Sequence, residues 1–143
     1  MRRAGRWLMA ALVVAGLGVS GCGSSHEGPS APAFRVTPVP GTSLKRLALS
    51  PEAVMRIGVQ TAPAIAGPAG RGAVVPYDAV VYAPDGVPSV FTNPSPRVYI
   101  RHTIEIGRIT GNAVSVKLGV TPGTAVVTVG AVELLGAETG VEE

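Results

Sequence analysis

Glycine and proline recur along this chain often enough to cut it into short pieces: they are 19 and 13 of its 143 residues. Gly admits left-handed backbone and Pro removes a hydrogen-bond donor, so neither a long helix nor a long strand runs through them. Between them lie short β-branched and apolar runs. Residues 59–65, 73–75 and 79–82 are predicted strands. Ala83-Pro84-Asp85-Gly86 predicts a turn, because Pro presets φ and Gly accepts the left-handed position. Residues 89–92 then return, so 79–92 reads as a hairpin. The clearest strand is 97–106, with Val98, Ile100, Ile104 and Ile106 on one face and Arg97, Tyr99, Arg101, Thr103 and Glu105 on the other. Turns at 109–112 and 121–123 frame Val114, Val116 and Leu118, which are expected to alternate inward. Residues 125–129 form the last predicted strand.

One helix interrupts this pattern. Ser50-Pro51-Glu52 supplies a hydroxyl cap, a proline at the first helical position and an acid in the first turn. Gly58 stops the helix soon afterwards. The expected fold is all-β, a small β-barrel or β-roll with one short helix over residues 44–139, followed by a tail at 140–143.

The formal charge of +3 invites a nucleic-acid reading, but the location of the charges removes it. Arg2, Arg3 and Arg6 lie before Cys22, which leaves nine of the 12 basic residues against all nine acids. The chain from Cys22 onward is formally neutral, with no cationic stripe to neutralise phosphates. A single cysteine also excludes an internal disulfide and any zinc site built on several thiolates.

The amino-terminal stretch has the build of a leader. Residues 1–6 carry the arginines, and residues 7–19 form an uncharged, mostly apolar run after them. As a helix that run rises about 20 Å, short of the roughly 30 Å hydrocarbon core of a bilayer. It therefore fits a secretory signal better than a membrane span. Val19-Ser20-Gly21-Cys22 resembles the bacterial lipobox, an aliphatic residue and two small ones before Cys. The resemblance implies cleavage after Gly21 and a diacylglycerol on the sulfur of Cys22, in a signal peptide of residues 1–21. Two acyl chains give stable anchoring, where one gives marginal, reversible binding. The expected location is the extracytoplasmic side of the cell membrane.

Residues 22–43 read as the lipidated Cys and a flexible, disordered tether, because Pro29, Pro32, Pro38 and Pro40 break any ladder or helix. His26 lies in this segment and reads as a solvated polar residue.

Few residues offer chemistry. His102 falls on the apolar face of its predicted strand with no second metal ligand on that face, so a structural or edge position is expected. Met55 is the only methionine after Cys22, which is poor provision for a soft metal. Ser50, Ser89, Ser95 and Ser115 have no identifiable base, and Asp78 and Asp85 flank a hairpin. No enzyme, no metal site and no cofactor beyond the covalent lipid are expected.

Several segments, taken in order, resemble the membrane-proximal domain of periplasmic adaptor subunits of RND efflux pumps, also called membrane fusion proteins. Leu49-Ser50-Pro51-Glu52-Ala53-Val54 with Ile57-Gly58-Val59-Gln60-Thr61 is similar to that family's opening segment. Val75-Pro76-Tyr77-Asp78-Ala79-Val80-Val81 is similar to its step out of the β-barrel domain. Asp85-Gly86 with Val90-Phe91 fits its hairpin, and residues 101–107 fit its charged strand ending in Gly. Residues 119–127, completed by Gly130, are similar to its closing glycine pattern, although Thr124 stands where an acid is usual. Residues 91–96 and 127–136 fit short, adaptor-like lipoproteins. About ten residues, 66–75, replace the helical hairpin, the lipoyl domain and most of the barrel of a full adaptor, so this chain cannot bridge two membranes. The resemblance implies a non-catalytic, lipid-anchored module that contacts an RND-type pump or another membrane transport protein. The alternative is a free-standing ligand-binding lipoprotein.

Overall fold

Antiparallel pairing dominates the computed structural model, which describes residues 32–140. In chain order the elements are β1 (Phe34–Pro38), β2 (Lys45–Leu49), α1 (Pro51–Ile57), β3 (Gln60–Pro63), β4 (Ile65–Ala66), β5 (Ala73–Pro76) and β6 (Val80–Tyr82). They continue with β7 (Pro88–Ser95), β8 (Val98–Thr103), β9 (Glu105–Thr110), β10 (Ala113–Leu118), β11 (Ala125–Val129) and α2 (Ala131–Thr139).

The strands form two open sheets. The larger has the order β1-β2-β8-β7-β11-β3, with β6 also paired to β7, and the smaller has the order β4-β5-β10-β9. Among the described residues no barrel closes, because β1 and β3 are free edges of one sheet and β4 and β9 of the other. This corrects the barrel expectation, and the cause lies at the corners where the chain changes sheets. The predicted strand 59–65 breaks at Ala64, whose N–H donates to the Thr124 carbonyl at 2.8 Å, so β3 and β4 enter different sheets. The predicted strand 97–106 breaks likewise at Ile104, whose N–H donates to the Pro88 carbonyl at 3.0 Å. Gly119 makes room beside this corner: at φ 107 its missing Cβ would collide with the Thr103 carbonyl oxygen.

Three layers result, and strand alternation sorts the core between them. Val90, Val126, Val75, Val114, Val116 and Ile104 fill the space between the sheets. Their neighbours Phe91 and Val127 point the other way, joining Leu47, Tyr99 and Leu134 beneath the helices. The central strands β7 and β11 of the larger sheet are thus buried on both faces, whereas its edge strand β1 is exposed throughout, and the smaller sheet is buried on one face.

Three residues lie in surroundings other than those expected from the sequence. Tyr99 and Arg101, expected to point away from the core, face the helix layer: Tyr99 is buried opposite Leu47, and Arg101 pairs with Glu138 of α2. Leu118, expected inward, is exposed because the register shifts between Val116 and Leu118, and one extra residue reverses the facing of the next.

The helix start matches its sequence signals. Ser50 Oγ accepts the Ala53 N–H at 3.1 Å, and the N–H of left-handed Gly58 donates to Val54. The backbone N–H at Glu52 and the Ser50 hydroxyl hold the Glu52 carboxyl below the usual range. Two elements go beyond the expected set. β1 lies in the stretch read as tether; it pairs along its full length with β2, from Phe34 opposite Leu49 to Pro38 opposite Lys45. Pro38 is tolerated because β1 is an edge strand. The second is α2, which makes two α-helices where one was expected.

Candidate functional site

A cleft of about 410 Å³ opens in the helix layer between α1 and α2. Helical spacing builds both walls: α1 contributes Ala53, Arg56 and Ile57, and α2 contributes Glu133, Gly136, Ala137 and, at its cap, Gly140. These positions run i, i+3, i+4 and i+7, so each set lies on one helix face. The opposite face of α2, with Ala131, Leu134 and Glu138, is buried against the larger sheet. Leu49 of β2 forms the floor, and Ala33 with Phe34 of β1 closes the end at which the described chain begins. The lining is apolar apart from Arg56 and Glu133, at the lip.

No backbone requirement explains Gly136. It lies within α2 without a positive φ, and nothing lies within 4 Å of where its Cβ would be. A mid-helix Gly costs about 1 kcal/mol relative to Ala. Here its effect is to leave room in the cleft.

A second surface lies on the opposite side of the three layers. The outer face of the smaller sheet carries no covering element among the described residues. Across it run the paired residues Ile65, Val74, Ser115 and Arg108, one from each strand. Shallow depressions of about 220 and 290 Å³ share Val74 and Ala113. Glu105 and Lys117 border this sheet and pair at 3.0 Å, an exposed bridge of little energetic weight.

Cys22 and Gly21, the expected lipid-attachment and cleavage residues, lie outside the described residues, as does His26. The remaining candidates are dispersed. His102 sits opposite Val90 on the inter-sheet face, where burial pushes its imidazole pKa down. Asp85 Oδ1 accepts the Val87 N–H at 3.0 Å in the β6–β7 turn, and Asp78 is exposed in the turn after Pro76. Ser50 caps α1, and Ser89 is fully buried. Asn93, within the run 91–96, braces the β7–β8 turn by donating to the carbonyls of Ser95 and Val98, each at 2.8 Å. Among the described residues no group of three or more His, Cys, Asp or Glu side chains is placed to hold a metal ion.

No family model, curated protein or solved structure matches this chain. Its surfaces are therefore read from their own chemistry. Sequence reasoning missed the cleft because one wall, α2, was not foreseen. The signal available was the spacing of Ala131, Leu134 and Glu138 between Gly130 and Gly140.

Proposed function

We propose that this protein is a non-catalytic interaction module, held on the extracytoplasmic face of a cell membrane by lipid on Cys22, that docks on a membrane transport complex. The observation that carries the docking half is the uncovered outer face of the smaller sheet. Ile65, Val74 and Ala113 give that face an apolar centre with shallow relief, and Arg108, Lys117 and Glu105 give it a charged border. An apolar centre inside a polar rim is the ordinary build of a protein interface. The sequence resemblance to the membrane-proximal domain of RND adaptors supplies the partner class, an RND-type pump or a related transporter. The lipobox supplies the anchor.

A photoreactive amino acid at position 115 in intact cells tests this. The reading expects an adduct with an integral membrane transport protein from that position and none from position 35, on the free edge of β1. Equal adduct patterns from both positions, or none from 115, contradict it.

The second reading, a ligand-binding lipoprotein, is favoured by the cleft. Its volume falls within the roughly 300–1,000 Å³ of small-molecule sites, and its lining has the apolar character such sites share.

A further inference from the structure

We propose that the cleft between α1 and α2 binds a free, single-chain amphiphile with a zwitterionic head. Its alkyl chain lies between the helices, and its two charges meet Arg56 and Glu133. The inference rests on the reading of the cleft as a small-molecule site and names the class of ligand.

Two contacts orient the cleft. Gly130, which caps the start of α2, lies against the last residue of α1: a Cβ there would stand 2.6 Å from Ile57 Cγ2. At the other end of α1, the N–H of its cap Ser50 donates to the Ala33 carbonyl at 2.9 Å. The start of α2 therefore adjoins the end of α1, whereas Ala33 with Phe34 closes the end at which α1 begins. Arg56 and Glu133 thus stand at the same end of the cleft, one on each wall and both exposed.

The lining has the polarity of an amphiphile. Inward from the charged end, Ile57, Ala53, Leu49 and Ala137 offer hydrocarbon and almost no hydrogen-bonding groups. A polar group buried there gives up its hydrogen bonds to water without replacement, whereas an alkyl chain has none to give up. From Glu133 to Gly140, both lining residues, α2 rises about 10 Å, the reach of a short alkyl chain. Gly136 keeps this passage open. Nothing lies within 4 Å of where its Cβ would be, and a helix that only covered the sheet would gain from a side chain there.

The charges select the head group. Among the described residues the salt bridges are Arg101–Glu138 and Lys117–Glu105, and neither includes Arg56 or Glu133. A head with a single charge is attracted by one wall and repelled by the other. A head carrying both signs finds an opposite charge on each wall, and such complementarity fixes the orientation of a ligand.

The test uses purified full-length Cys22→Ser protein, free of detergent and bearing no lipid on residue 22. Three photoreactive probes share one diazirine-bearing decyl chain and differ in the head: phosphocholine, carboxylate or trimethylammonium. Each is irradiated with the protein below its micellar concentration, and the adducts are mapped to peptides. The phosphocholine probe should label peptides of α1 or α2 at least threefold more than either other probe. Gly136→Leu, which fills the cleft, should reduce that label at least fivefold, and Gly136→Ala should keep most of it, with circular dichroism unchanged in both. Glu133→Gln should bring the carboxylate probe level with phosphocholine, and Arg56→Gln should do the same for trimethylammonium. Labelling that Gly136→Leu lowers but that is equal for the three heads, or strongest for a singly charged one, overturns the ligand class and leaves the cleft a small-molecule site. Head preferences indifferent to both charge substitutions do the same. No label on these helices from any probe, or a label indifferent to Gly136→Leu, overturns the proposal together with the small-molecule reading of the cleft.

Discussion

Arg101 on β8 grips Glu138 on α2 through two hydrogen bonds, Nε to Oε2 at 2.7 Å and Nη2 to Oε1 at 3.2 Å. The carboxylate sits in the last turn of its helix, where the dipole disfavours negative charge. The guanidinium offsets this and fixes the rotation of α2 on the sheet, which in turn sets the face that α2 presents to the cleft. The same contact holds the Arg101 pKa above its ordinary value.

The two partners are unequally buried, with side-chain exposures of 25% for Arg101 and 5% for Glu138, so their removal should have unequal costs. Arg101→Ala strands a buried carboxylate and should destabilise by about 3 kcal/mol. Glu138→Ala leaves a guanidinium that water still reaches, and should cost about 1–2 kcal/mol. Urea unfolding monitored by circular dichroism measures both, and the opposite order would contradict the burial argument.

Ile104 and Thr103 are adjacent, yet only Ile104 belongs to the core. Ile104 is 3% exposed at the corner between β8 and β9, in one core cluster with Val90 and Val116. Ile104→Ala should cost about 2–5 kcal/mol, from lost transfer energy and the cavity left behind. Thr103→Ala, at an exposed position, should stay within about 1 kcal/mol. Equal urea midpoints for the two variants would contradict the placement of this corner.

That pair also shows how far the sequence could be read. Alternation identified Ile104 as a core residue, but not that the chain turns there into a second sheet. Corners of this kind are set by long-range partners, here the Pro88 carbonyl and the space beside Gly119, and they leave no local period. Local signals were otherwise reliable: Ser50 and Gly58 delimit α1, and Asp85 with Gly86 forms the hairpin turn. β1 is hard to read because its proline is acceptable only on an edge, and whether a strand lies on an edge is a tertiary fact. α2 is hard to read because Gly136 and a β-branched, glycine-flanked start weaken its helical pattern. With α2 unseen, the cleft was also invisible.

His102 should give the fold a specific pH dependence. Burial depresses its pKa in the folded state below the ordinary 6.5, so the unfolded chain binds the proton more readily. Above about pH 6.5 both states are neutral and stability is undiminished. As pH falls below that value the unfolded state protonates first, and stability declines until the folded-state pKa is passed. His102→Gln should flatten the change in urea midpoint between about pH 7.5 and about pH 5. A slope unchanged by this substitution would assign the effect to other groups.

The central claim is that Cys22 carries the lipid that places this domain at a membrane, and metabolic labelling with a fatty-acid analogue tests it most directly. Wild-type protein should incorporate the label and sediment with membranes. Cys22→Ser should incorporate none and appear in the soluble fraction, with the fold of residues 32–140 unchanged by circular dichroism. A Cys22→Ser protein that labels and sediments like wild type would contradict the account.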